Sequence, residues 1–152
     1  MEKLEPILQA HLDESFAMYD ELIASLTSDD LRQKLPVPSN VIGAQLWCVV
    51  GARESWARAI EKGAWSGFSC SITSPAEMVR TEVMGQALVS SAAAVREASR
   101  TVPNDEKRTD LKLHLLVHES QHQGQILRYL LGLRIEVPPS WKARFALGPS
   151  AT

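Results

Sequence analysis

No apolar run in this chain approaches the ~20 residues that a membrane-spanning helix needs. The N-terminal stretch MEKLEPILQAHLDES has no basic start followed by a hydrophobic segment, so a secretory leader is not expected and the chain is expected to be cytoplasmic. Cysteine is scarce. Cys48 and Cys70 are too few for a disulfide scaffold and read as free thiols in a reducing compartment, with a single Cys48 to Cys70 bridge as the unsupported alternative. An excess of charge of one sign is missing as well: charged residues make up 22%, the formal net charge is -2, and neither sign is gathered into a block. That leaves no footprint for nucleic acid and no polybasic membrane anchor, so small molecules or protein partners remain. Strand-like alternation, internal repeats and low-complexity segments are not seen, and an all-α architecture is expected.

The 152 residues fit a single domain, 1–152, long enough to bury its own core. Leu4, Leu8, Leu12, Ser15, Tyr19, Leu22 and Leu26 recur at steps of four and three, which predicts an amphipathic helix ending near Thr27, with His11 at its rim. A polar turn over 28–35 and the tripeptide Pro36, Val37, Pro38 separate it from a second helix over Val41 to Lys62, with Ser39 or Asn40 as cap. This second helix carries a bulky stripe, Ile42, Leu46, Val49, Trp56 and Ile60, beside a smaller one that includes Gln45, Cys48, Ala52 and Ser55. Arg53, Glu54 and Arg58 read as its solvated face. Gly63 ends it, and the Gly-, Ser- and aromatic-rich connection that follows is long enough to cover a site.

Ser74, Pro75 and Glu77 combine an N-cap, a first-turn proline and a capping-box glutamate, predicting a third helix that runs unbroken to about Thr101. A charged turn, Asp105 to Arg108, leads to a fourth helix from Thr109 or Asp110 to about Leu131, with Gly132 as its cap. Trp141 and Phe145 in the tail are expected to pack back on the four helices.

The fourth helix holds the residues that point to chemistry. Leu111, Leu115, His118, His122, Gln125 and Tyr129 follow one another at steps of four and three, so both histidines are expected on the core-facing seam. Residues four apart sit one turn above each other, about 6 Å along the axis, and their ring nitrogens can converge on one ion. Hydrogen-bonded core histidines are the alternative. Gly124 suggests close approach by a neighbouring helix, and Gln125 can orient an imidazole or bond across the core.

His118, Glu119 and His122 also spell HExxH, in which glutamate is the general base of zinc proteases. A metzincin continuation would need Gly at 125 and His at 128, where this chain has Gln125 and Arg128, and the only later acid is Glu136. Neither protease subclass fits well, and Glu119 reads as a solvated or rim residue.

The run HESQHQGQ late in a helical chain of this length, with SNVIGAQLW at the start of the second helix, resembles the DinB/YfiT-like family of metalloenzymes, whose last helix reads H-x-x-x-H-x-G-Q. The resemblance extends over nearly the whole chain, although only the HxxxHxGQ stretch is specific. It implies a four-helix bundle of up-down-down-up topology, often a homodimer, that binds a divalent metal such as nickel or zinc. It implies transfer or isomerisation of a low-molecular-weight thiol, or metal-assisted hydrolysis, on a small-molecule substrate.

The chain departs from that pattern in one place. After Trp47, where the family carries its third histidine, stands Cys48, and no histidine occurs between His11 and His114. Two readings stay open. Cys48, His118 and His122 form a Cys-His-His metal site with a free coordination position; or the chain is a metal-free, non-catalytic homodimeric stress-response or interaction module with a degenerate site. His114, one turn before His118 but one step off the seam, reads as a rim residue rather than a substitute ligand.

Overall fold

The first amphipathic seam forms helix α1 (Leu4–Ser25), which buries Leu8, Leu12, Ser15, Tyr19 and Leu22 as the spacing predicts. The computed structural model describes residues 4–148, so residues 1–3 and 149–152 of the expected 1–152 domain lie outside the described residues. α1 stops two residues before Thr27 because Thr27 belongs to the next element. Its hydroxyl accepts from the Asp30 N–H at 3.1 Å, and the Asp30 carboxylate accepts from the Thr27 N–H at 2.8 Å. This capping box starts α2 (Ser28–Arg32) where only a polar turn was expected.

α3 (Ile42–Lys62) follows and ends at Gly63, whose φ of 73° suits a residue without a side chain. The third predicted helix is two: α4 (Pro75–Met78), capped by the Ser74 hydroxyl, and α5 (Thr81–Thr101). The break has a packing cause. A Cβ on Gly43 of α3 would lie 2.4 Å from the Met78 carbonyl oxygen, so the α4 turn sits directly on the α3 backbone. Arg80 is then extended, and the Thr81 N–H is taken by the Ser28 hydroxyl at 3.3 Å, which re-aims α5.

α6 (Glu106–Leu133) begins earlier than expected. The Asp105 carboxylate accepts from the Arg108 N–H at 2.8 Å, so the charged stretch is the first helical turn. Its C-terminal cap is Arg134 with φ 57°, not Gly132. Gly132 stays helical, and a Cβ there would lie 2.7 Å from a Leu35 methyl. α7 (Pro139–Arg144) brings the tail back: Trp141 is buried, meets Tyr19 edge-on at 5.7 Å, and donates its indole N–H to the Met18 carbonyl at 2.9 Å. The seven helices are the only regular elements among the described residues. α3 packs on α5 and α6, and α1 packs on the same two helices.

A buried polar network crosses the middle of this core. Arg53 and Glu119 are fully buried and pair through two bonds, Nε to Oε1 at 2.7 Å and Nη2 to Oε2 at 2.9 Å. Arg53 also donates to the Leu88 carbonyl of α5 at 3.1 Å and lies over the Phe16 ring of α1 at 4.5 Å. Ser15 donates to Glu119 at 2.7 Å, the Gln123 amide donates to Ser15 at 2.8 Å, and the Tyr19 hydroxyl donates to the Glu119 carbonyl at 2.9 Å. Two expectations fail here: Arg53 is not on a solvated face, and Glu119 is not a rim residue. Each charge finds its partner inside, which is what permits its burial.

Removing one member strands the other. Arg53→Met is expected to lower unfolding free energy by about 3–5 kcal/mol, whereas the double variant Arg53→Met, Glu119→Leu loses less than the single one. Urea denaturation measures both, and a single variant within about 1 kcal/mol of the parent would show that the pair does not hold the core.

Candidate metal centre

The inward aim of Glu119 sets the direction of its neighbours. At about 100° per residue, His118 and His122 lie about 60–100° to one side of Glu119, the side that faces α3. The fully buried stripe of α6 is Lys112, Leu115, Glu119, Ile126 and Leu130. The expected seam holds at Leu115 and Tyr129 but is displaced by one residue between them: His118 and His122 are half-buried and Gln125 is exposed. Lys112 is buried through an ion pair with Glu5 and a bond to Asn104 at 3.2 Å.

On the flank of α6, Cys48, His118 and His122 come together, with one donor atom from each within 4.8 Å of the other two; this cluster can hold a metal ion. Cys48 Sγ lies 3.8 Å from His118 Nε2, and the two imidazole centroids are 4.5 Å apart. Tetrahedral zinc with bonds of about 2.0–2.3 Å places ligand atoms about 3.3–3.6 Å apart, so an ion would draw the set in by about 1 Å. Gln45 stands one turn before Cys48. Its Oε1 lies 3.0 Å from His122 Nδ1, and by accepting that proton it leaves the Nε2 lone pair free as a ligand. His118 Nδ1 is buried without a hydrogen-bond partner among the described residues. An imidazole whose Nε2 faces the thiol, an oriented imidazole and the thiol itself form a donor set suited to zinc or a similar borderline ion.

The electrostatics suit ligation by neutral imidazoles. Burial pushes the His118 pKa down and takes that of His122 down to about 4, with the neighbouring His118 adding to the second shift. Burial also raises the Cys48 thiol, so this ligand has a proton to give up. Trp56 covers His118, with centroids 5.4 Å apart, and meets Trp65 at 4.7 Å.

The connection after Gly63 does reach the site. A Cβ on Gly51 would lie 2.3 Å from the Phe68 ring, so the segment rests on bare α3 backbone. Glu54 accepts from the Ser71 N–H at 2.8 Å, and Arg58 donates to Ser69; these residues latch the connection rather than form a free solvated face. Between this segment, α3, α4 and α6 lies a cavity of about 710 Å³, with Cys48, Cys70, His122 and Gln125 on its wall. His118 is not among the residues of that wall.

The remaining histidines stand apart. His11 pairs with Glu14 at 3.7 Å and His114 with Asp110 at 3.4 Å, both exposed. Gly124 has nothing within 4 Å of a built Cβ, so the close approach expected there occurs at Gly43 and Gly51 instead. Gln45 was missed as an orienting group, although its place three residues before Cys48 puts both on one face of α3. No family model, curated protein or solved structure matches this chain.

His122 also sets a pH response in the metal-free protein. Its folded pKa is about 4, below the ~6.5 of an unfolded histidine, so the unfolded state binds the extra proton between these values. Its contribution to stability is complete above about pH 6.5 and is lost as pH falls toward 4. Replacing His122 with Gln should flatten that part of the stability profile measured with chelator present; an unchanged slope would show that His122 is not held neutral.

Proposed function

We propose that this chain is a DinB-like metal-dependent enzyme, a four-helix bundle of up-down-down-up topology that acts in the cytoplasm, as a homodimer, on a small molecule between α3 and α6. The observation that carries the reading is the Cys48, His118 and His122 cluster within 4.8 Å beside a cavity large enough for a substrate. Zinc or nickel is the ion that suits these donors. When bound, it would supply Lewis acidity to a substrate atom or thiol. The chain itself orients His122 through Gln45, shields His118 beneath Trp56 and keeps both rings neutral.

Of the two reactions, transfer or isomerisation of a low-molecular-weight thiol is favoured over hydrolysis. Hydrolysis of the HExxH kind needs a carboxylate base within reach of water. Glu119 is held in the core by Arg53, and no carboxylate belongs to the described cavity wall. A non-catalytic interaction module is the second reading. It is favoured by the raised Cys48 pKa, which makes an ion compete with a thiol proton.

Metal analysis separates the two readings. Purified protein is expected to bind about one zinc per chain, Cys48→His to retain it, and His122→Ala to lose most of it. Cobalt substitution should give a thiolate-to-metal absorption band that disappears in Cys48→Ser. Equal retention in all variants places any ion elsewhere, and no uptake by the parent favours the interaction module.

A further inference from the structure

The cavity beside the cluster has an unusual wall for an enzyme expected to handle a polar thiol. Among the described residues that line it there is no Lys, Arg, Asp or Glu. Ala44, Trp47, Ile72, Pro75 and Met78 are among the apolar side chains that line it. Several polar groups there are already engaged. The Trp47 indole N–H donates to the Ile72 carbonyl at 2.9 Å, the Ser74 hydroxyl accepts from the Glu77 N–H at 3.2 Å, and Gln45 Oε1 is held against His122 at 3.0 Å. Away from the cluster, a ligand carboxylate, phosphate or ammonium would meet no opposite charge on this wall, and its desolvation there is costly. At about 710 Å³ the space falls within the roughly 300–1,000 Å³ typical of small-molecule pockets.

We infer that this cavity takes an uncharged, largely apolar small molecule, aromatic or branched-aliphatic in its body, that turns one donor atom toward Cys48 and His122. The donor-atom part rests on the metal-centre reading above; the selectivity for a neutral body rests on the cavity wall alone. A peptide-like thiol with several ionised groups is disfavoured. The fitting thiol is one whose only ionisable group is the sulfur itself, since that group alone faces the cluster.

Calorimetric titration tests both parts with matched probes. Zinc-loaded protein receives benzyl mercaptan and 4-(mercaptomethyl)benzoate, which differ by one carboxylate. The metal-free Cys48→Ser variant receives benzyl alcohol and benzoate. In each pair the neutral member is expected to bind at least about tenfold more tightly. Ala44→Leu, which narrows the cavity and neither adds nor removes a metal donor, should weaken the neutral member by a similar factor while zinc content stays unchanged. Equal or tighter binding of the carboxylates overturns the inference, as does indifference to Ala44→Leu in a variant whose melting temperature matches the parent. Failure of zinc uptake with discrimination preserved in Cys48→Ser removes the metal reading and supports the cavity's selectivity. Normal zinc uptake without discrimination overturns the cavity inference alone.

Discussion

The ion pair between Arg53 and Glu119 is the constraint from which the arrangement of the site follows. Two charges with no solvent exposure are tolerable only if their hydrogen-bonding capacity is met, and here α1, α3, α5 and α6 all contribute to meeting it. Such a network fixes rotation as well as distance. Because Glu119 must point at Arg53, α6 cannot turn about its axis, and the next positions along its flank are presented to α3. His118 and His122 occupy them. The charge pair therefore does for α6 what a register-fixing polar residue does in a coiled coil.

α3 answers with small residues. Gly43 lets α4 rest on its backbone, and Gly51 does the same for Phe68, so the segment from Gly63 to Met78 closes over one face of the helix. Ser55, Glu54 and Arg58 bind that segment's backbone or hydroxyl groups and hold it down. Trp47 is fixed at its far edge by the bond to Ile72. The same helix thus presents Arg53 to the core, Cys48 and Gln45 to α6, and glycine backbone to the covering segment. Three faces have three separate tasks, and the cavity is the space left where they meet.

Much of this was legible in the sequence, and the exceptions share a cause. The seam of α1, the Gly63 stop, the Ser74 cap and the histidine pair are local patterns, and local spacing locates them. The rotation of α6 was misread because Lys112, Glu119 and Gln123 are polar by type, and a periodicity argument sends such residues to solvent unless their partners are known. Glu119 finds Arg53 66 positions away, and Lys112 finds Glu5 107 positions away. The break before Thr81 was invisible for a similar reason, since it depends on Gly43, which carries no local sign of what lies above it. Gly124, by contrast, looked like a contact residue, yet a Cβ there would meet nothing within 4 Å. A glycine in a helix announces room for a neighbour without saying whether one arrives.

The same buried pair bears on the charge of the site. Glu119 adjoins both imidazoles and would favour a cation there, yet Arg53 already balances it through two short bonds. Two neutral imidazoles and one thiolate would leave a divalent ion with a single positive charge, and the described cavity wall offers no carboxylate to cancel it. A fourth ligand able to shed one proton at its donor atom would complete the balance, while any further charge on that ligand would stand unpaired against tryptophan, isoleucine and methionine. Charge balance at the cluster and apolarity of the cavity thus point to one kind of molecule, ionisable at the end that reaches Cys48 and neutral everywhere else.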